Sequence, residues 1–249
     1  MTAHPQKRVS SIVVGCAILE ILANEARRLS LTEIARQAGM SPSKAHAYIV
    51  SFLQVGLIDR DADTGFYALG PFALRLGAAA MRHSDMIALA RETVSSLRSE
   101  TGCTVFLSIW GNRGPTIIHK VDGRWTLLPI QVGFVLPIVG SATGNVFLTH
   151  LPATETATLV QAELRAMCEP DTLVGEIMAS VRRYGFAGMK PAQQYAGVAA
   201  PVLRHDGTIA AALTVSRPSE VIDAKLRRSL GTAALTAASA LSKRLGYGT

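Results

Sequence analysis

LTEIARQAGMSPSKAHAYIVSFLQVGLIDRDADTGFYALG, residues 31–70, carries in one run the start and stop signals of two short helices and a hairpin. Thr32 is a suitable N-cap for the first helix, whose apolar face is Ile34, Ala35 and Ala38, and Gly39 offers the left-handed position that ends it. Ser41 caps the second, with Pro42 at the first helical position, where a missing N–H costs nothing. Ala45, Ile49 and Phe52 or Leu53 recur on one face of that helix, and Gly56 terminates it. Leu57–Arg60 and Phe66–Leu69 then read as short strands around the turn-rich Asp61-Ala-Asp-Thr-Gly65. Any helical hairpin shares the two helices. The added wing, and a longer helix over about residues 10–25 ahead of them, predict a winged helix-turn-helix.

In such a unit the second motif helix enters a DNA major groove while the wing meets the backbone. The positions opposite its apolar face are Ser43, Lys44, His46, Ala47 and Val50. Of these, Ser43, Lys44 and His46 have side chains that reach DNA, and Tyr48 offers a hydroxyl to a phosphate or packs against the first helix. Lys44 at a helix start opposes the macrodipole by itself, but it suits a helix end aimed at phosphates or guanine edges. With Thr32, Ser41 and Arg60 these residues make the candidate DNA-binding set. The plainer alternatives are a solvated lysine for Lys44 and a surface or packing histidine for His46.

The whole chain has 249 residues, 49% hydrophobic and 17% charged, with mean hydropathy +0.27. That composition excludes a disordered chain and leaves room for one large or two modest cores. No apolar run approaches the roughly 20 residues of a membrane span. Lys7 and Arg8 precede an apolar stretch as in a signal peptide, but Glu20 and Glu25 enter where a cleavage site belongs, while Ile18, Leu19 and Leu22 keep helical spacing. A retained helix and a cytoplasmic protein are expected. Cys16, Cys103 and Cys168 are odd in number, far apart and outside any Cys-x-x-Cys spacing, so they read as small buried hydrophobes with reduced thiols. The net charge of +7 suggests an anionic partner, yet residues 1–80 contribute only +2 of it, so charge alone does not locate a DNA surface.

Beyond the wing, Pro71–Met81 reads as a connecting helix, and Asp85–Thr101 has Ile87, Ala90, Val94 and Leu97 at helical spacing. Strand candidates follow at Thr104–Trp110, Pro115–Asp122, Thr126–Ile130, Gly197–Leu203 and Ile209–Ser216, with hairpin turns that favour antiparallel pairing. Helices are expected at roughly 142–150, 154–166, 173–185 and 223–245, the last amphipathic through Leu226, Leu230, Ala234, Ala237, Leu241 and Leu245. Strands and helices do not alternate strictly, so the fold class is α+β. The expected organisation is a DNA-binding domain over 1–70, a linker helix over 71–82 and a second domain over 83–249. In the latter, Gly140-Ser-Ala-Thr-Gly144 leads into a helix whose free amides favour an anionic group; a simple Ser141 cap fits the same residues.

The histidines show neither His-x-x-x-His nor His-Glu-x-x-His spacing, and no cysteine pair supports a metal. Gly140-Ser-Ala-Thr-Gly144 puts serine second rather than third in the glycine frame, so it is no nucleophile elbow, and neither a P-loop nor a dinucleotide fingerprint is present. The reading is therefore not an enzyme, with no cofactor and no metal.

The stretches SPSKAHAYIVSFLQVGL at 41–57, FYALGPFALRLG at 66–77, QVGFVLPIVGSATGNVFLTHLP at 131–152 and GVAAPVLRHDGTIAAALTVSRP at 197–218 together resemble the IclR family of bacterial transcriptional regulators. The resemblance covers about residues 9–246 and keeps the family's order. It implies a dimer or tetramer of subunits, each with a winged helix, a linker helix and a GAF-like effector domain. It also implies an operator of double-stranded DNA as partner, and repression or activation controlled by a small organic, even aromatic, carboxylate. Carried over residue by residue, it places Leu128 and Leu136 on an apolar wall, the amides of Ala142 and Thr143 at the carboxylate, Thr214 and Ser216 opposite, and Tyr195 and Gly197 at the rim. Two departures stand out: Ala47 where members commonly have arginine, and MKPAQQYAGVAA at 189–200 in place of a polar or acidic cluster. The alternatives from other classes are an unrecognised hydrolase fused to a DNA-binding domain, and a DNA-binding protein that needs no effector.

Overall fold

Ser30-Leu-Thr-Glu33 begins the helix-turn-helix two residues earlier than Thr32 would. In the computed structural model the Ser30 hydroxyl accepts from the Glu33 amide at 3.3 Å, while the Glu33 carboxylate accepts from the Ser30 amide at 2.9 Å. This reciprocal capping box satisfies two donors at once, which a Thr32 cap cannot, so Thr32 instead lies exposed within the first turn. The described residues are 9–25, 27–82, 85–124, 130–188, 195–218 and 223–248, with the backbone alone at 80–82 and 85. They fall into two units, Met1–His83 and Ser84–Thr249.

The first unit contains α1 (Ser10–Asn24), α2 (Leu31–Gln37), α3 (Pro42–Gln54), the hairpin β1 (Ile58–Arg60) and β2 (Tyr67–Leu69), and α4 (Pro71–Arg82). Gly39, at φ 62°, closes α2 as a Schellman turn, with the Met40 amide reaching back to the Ala35 carbonyl at 3.0 Å. Ile18, Leu22, Ile34, Ala35, Ala45 and Ile49 fill the core between the helices. Gly15 lets α1 approach α3, since a Cβ there would lie 2.8 Å from the Phe52 ring. Leu29 adds a bridge to Tyr67 that widens the wing to three chains, a pairing unmarked in the sequence.

The second unit is built on one antiparallel sheet in the order β4-β3-β7-β6-β5, formed by β3 (Thr104–Gly111), β4 (Gly114–Val121), β5 (Ala187–Gly188), β6 (Tyr195–Leu203) and β7 (Ile209–Pro218). The two-residue β5 carries no strand signal in the sequence. Helices α5 (Asp85–Thr101) and α9 (Ala224–Arg244) cover one face through Ala90, Val94, Leu97, Leu230, Ala234, Ala238 and Leu241; Ala237 is only half-buried. Helices α6 (Ala142–His150), α7 (Ala153–Met167) and α8 (Thr172–Tyr184) belong to the other side, where Val146, Phe147 and Val181 pack on Ala199 and Ala212. With both faces covered, Ile209–Ser216 is buried without a break, the burial pattern usual for strands covered on both faces. The strand expected over 126–130 lies, apart from Ile130, outside the described residues.

The cysteines correct one expectation. Cys103 is buried, but Cys16 faces outward on α1 and Cys168 is exposed in a left-handed conformation just past α7.

Candidate functional site

On α3 the period of 3.6 that buries Ala45 and Ile49 turns Ser43, Lys44, His46, Ala47 and Val50 to the surface, and all five are exposed. Ser41 caps the helix, its hydroxyl oxygen accepting from the Lys44 amide at 3.4 Å. Tyr48 is half-buried in the core against Gly15 of α1. Arg60 reaches across the wing, donating from Nε to the Gly65 carbonyl at 3.2 Å with its guanidinium 5.7 Å from the centre of the Tyr67 ring. The wing tip is fixed by Asp61, whose carboxylate accepts from the amide and the hydroxyl of Thr64, both at 2.8 Å, and those bonds hold its carboxyl below the usual range. Ser43, Lys44 and His46 thus share one exposed helix face.

In the second unit a cavity of about 270 Å³ opens between the β6–β7 pair, the loop before α6 and the first turn of α6. Its floor follows from the period of 2 along the strands. Phe106 of β3 pairs with Thr214 of β7, and Gly197 of β6 pairs with Ser216, so the side chains of Phe106, Thr214 and Ser216 project to the face away from α5 and α9, with bare backbone at Gly197. The wall is Ile130, Phe134, Leu136 and Pro137, tied to β4 by the Leu136 amide on the Pro115 carbonyl at 2.8 Å and the Ile117 amide on the Phe134 carbonyl at 3.0 Å. Gly140, Ser141, Ala142 and Thr143 form the end wall, and Tyr195 and Ala196 the rim.

The polar groups here are already partly engaged. Ser141 Oγ accepts from the Gly144 amide at 2.8 Å and donates to the Pro137 carbonyl at 2.6 Å, so the cap reading of this serine is correct. The amides of Ala142 and Thr143, in the first helical turn, have no intrahelical acceptor. Thr143 and Thr214 share a buried hydroxyl–hydroxyl bond of 2.8 Å, and Ser216 Oγ donates to the Ala196 carbonyl at 3.2 Å. Gly144 is required by the close pass of the Pro137 and Ile138 backbone, which a Cβ would strike.

Of the residues singled out for an effector, Leu136, Ala142, Thr143, Tyr195, Gly197, Thr214 and Ser216 all line this one cavity, while Leu128 lies outside the described residues. Sequence reading missed Phe106, Phe134 and Pro137. The alternation of β3 around Phe106 would have placed that ring on the floor; the other two sit in an irregular loop that no period marks. Among the described residues, no cluster of His, Cys, Asp and Glu is placed to hold a metal, and no helix is long and apolar enough to cross a membrane.

Residues 78–243 match the family described as bacterial transcriptional regulator IclR C-terminal, and residues 11–62 match the IclR helix-turn-helix domain. The chain is similar to the HTH-type transcriptional regulator XynR of Escherichia coli strain K12, 29% identical over 96% of this chain and 98% of that protein. It is similar in structure to HmgR of Pseudomonas aeruginosa, with 34% identity, 97% and 100% of the two chains covered and a TM-score of 0.61. An IclR family transcriptional regulator from Brucella abortus, 19% identical, shares the fold at a TM-score of 0.80 over 98% and 95% of the two chains.

Proposed function

Because the chain belongs to the IclR family, DNA-binding transcriptional regulators with a C-terminal effector-binding domain, we propose that it changes its operator affinity when a small organic acid occupies the cavity at the start of α6. The observation that carries this reading is the pairing, in one cavity, of an apolar wall with a helix N-terminus whose first amides lack acceptors. A carboxylate at Ala142 and Thr143, with its body against Leu136 and Phe106, uses both. Thr214 and Ser216 stand opposite with Gly197 beside them on the floor, and Tyr195 forms the rim.

In this reading residues 1–70 bind DNA, 71–82 link and 83–249 sense. Ser43, Lys44 and His46 meet the major groove; Thr32, Ser41, Tyr48 and Arg60 contact the flanking backbone. A regulator of this kind works in the bacterial cytoplasm as a dimer or tetramer, since one winged helix reads only a few base pairs. Ile12 and Val13 of α1 and Leu74 of α4, between 63% and 75% exposed, support self-association by offering apolar surface. Effector and operator need a coupling of only about 1–3 kcal/mol, and reciprocity requires DNA to change effector affinity by the same factor. No turnover is part of the proposal.

A thermal-shift screen of aliphatic and aromatic acids tests it, because a ligand that binds only the folded state raises stability by RT ln(1 + [L]/Kd). An acid that raises the melting temperature should also shift operator affinity in a fluorescence anisotropy titration and be recovered unchanged. A stabilising acid that leaves DNA binding untouched at saturation contradicts the regulatory role, and its breakdown during incubation revives the hydrolase.

A further inference from the structure

The loop that forms the end wall of the cavity is held by two side chains that do not line it. From α7, the Glu163 carboxylate accepts three consecutive backbone N–H groups: Oε1 from Ile138 at 2.6 Å, and Oε2 from Val139 at 2.8 Å and Gly140 at 3.3 Å. From α6, the Asn145 side chain, with its nitrogen turned toward the loop, donates to the carbonyls of Ile138 at 3.1 Å, Val139 at 2.9 Å and Ser141 at 3.1 Å. Successive amides converging in this way form a nest for an anion, and the chain fills it with its own carboxylate. Bonds to a charged acceptor are the stronger kind, and both oxygens are used. The same contact has an apolar side: Ile138 and Val139 pack in one cluster with Leu148 of α6 and with Val160 and Leu164 of α7.

This grip sits between two walls of the cavity. Upstream the loop runs into Leu136 and Pro137, downstream into Ala142 and Thr143, so a loop free to shift moves the apolar wall and the free amides together. We propose that Glu163 is the positioning residue of the effector pocket: through Ile138, Val139 and Gly140 it sets where the amides of Ala142 and Thr143 stand, with Asn145 holding the carbonyl edge of the same loop. This rests on the reading of the cavity as the effector site. It makes α7 part of the sensing apparatus although none of its residues touches the cavity.

Glu163→Gln keeps the size of the side chain but replaces one acceptor oxygen with a donor, so either the Ile138 amide or the Val139–Gly140 pair must face an NH₂ group. Glu163→Asp, one methylene shorter, cannot reach both ends and serves as the second variant should the first fold poorly. Glu155→Gln, exposed on the first turn of the same helix, is the control. The full chain is followed by hydrogen exchange in peptides covering residues 136–147, by thermal midpoint, and by calorimetric titration with benzoate as the probe acid.

Either Glu163 variant should speed exchange at residues 138–140 about tenfold, extend that gain to the amides of Gly144 and Asn145, which donate to the Ser141 hydroxyl and carbonyl, leave residues 154–162 unchanged, and weaken benzoate about tenfold. The control should alter none of these. Unchanged exchange at 138–140 overturns the grip. Faster exchange that stops short of Gly144, or leaves benzoate affinity as in the parent, overturns the positioning role. Where the parent protein binds no benzoate, an aromatic acid is lost to the effector reading, and the spread of exchange into α6 alone decides for or against Glu163.

Discussion

Thr143 and Thr214, 71 residues apart in the chain, bring their hydroxyl oxygens to 2.8 Å with both side chains buried, which joins the first turn of α6 to the centre of β7. Two hydroxyls share this one bond, so one O–H of the pair remains for a ligand in the cavity they both line.

Thr214→Val keeps the shape but strands the Thr143 hydroxyl, and stability should fall by about 1–3 kcal/mol. Thr143→Val/Thr214→Val removes both partners and should recover most of the loss, because replacing a bonded pair with apolar groups of the same shape is close to neutral. Denaturant unfolding of the four proteins of the cycle measures this. A double variant as unstable as the sum of the singles refutes the bond. In the reading proposed here, Thr214→Val also weakens a bound acid while operator binding of the free protein persists.

Gly144→Ala should be far more damaging than an ordinary helix Gly→Ala change, which is normally favourable. The added Cβ meets the Pro137 and Ile138 backbone, so the loop or α6 must move. A destabilisation of about 1–3 kcal/mol is expected from the overpacking, together with loss of acid binding. Gly175→Ala on α8, where nothing lies within 4 Å of the added atom, is the comparison that should be neutral or stabilising.

Lys44→Ala should weaken operator binding and reduce the slope of log K against log salt by about 0.9 if Lys44 neutralises one phosphate. Ligand binding should be unaltered. An unchanged slope, measured by anisotropy between low and moderate salt, removes Lys44 from the phosphate contacts.

Glu33 is held at about 2, against an ordinary 4.5, first by the Ser30 amide, then by Arg27 and the Ser30 hydroxyl. Its folded value lies below its unfolded one, so the stabilisation is complete above about 4.5 and disappears as pH falls toward 2. The stability difference between the parent and Glu33→Gln should therefore be constant from neutral pH to about 5 and close at lower pH, read by denaturant unfolding at stepped pH. A gap independent of pH means that the capping box does not involve the carboxylate charge.

Burial pushes the Cys103 thiol up, while Cys168 is exposed. A thiol reagent at neutral pH should label Cys168 in the native protein and Cys103 only on unfolding, as peptide mapping would show.

The features legible in the residue order are local. Gly39, Ser41-Pro42 and Gly56 punctuate a helix-turn-helix within a few residues of where they act, and the apolar period of α3 separates Ala45 and Ile49 from Ser43, Lys44 and His46 because backbone geometry alone fixes that spacing. The shift of the cap from Thr32 to Ser30 is local too, since Ser30 and Glu33 stand in capping-box spacing. The motif Gly140–Gly144 announced a capped helix start. Long-range packing is what opens this start onto Thr214 and Ser216, joins Leu29 to the wing, and closes Glu163 on amides 23 to 25 residues away. A glutamate in an amphipathic helix carries no mark distinguishing a solvated charge from one bonded to backbone amides of a distant loop. The distinction arises when α6 and α7 pack through Leu148, Val160 and Leu164, which brings the carboxylate within hydrogen-bonding distance of a loop it is not adjacent to in sequence.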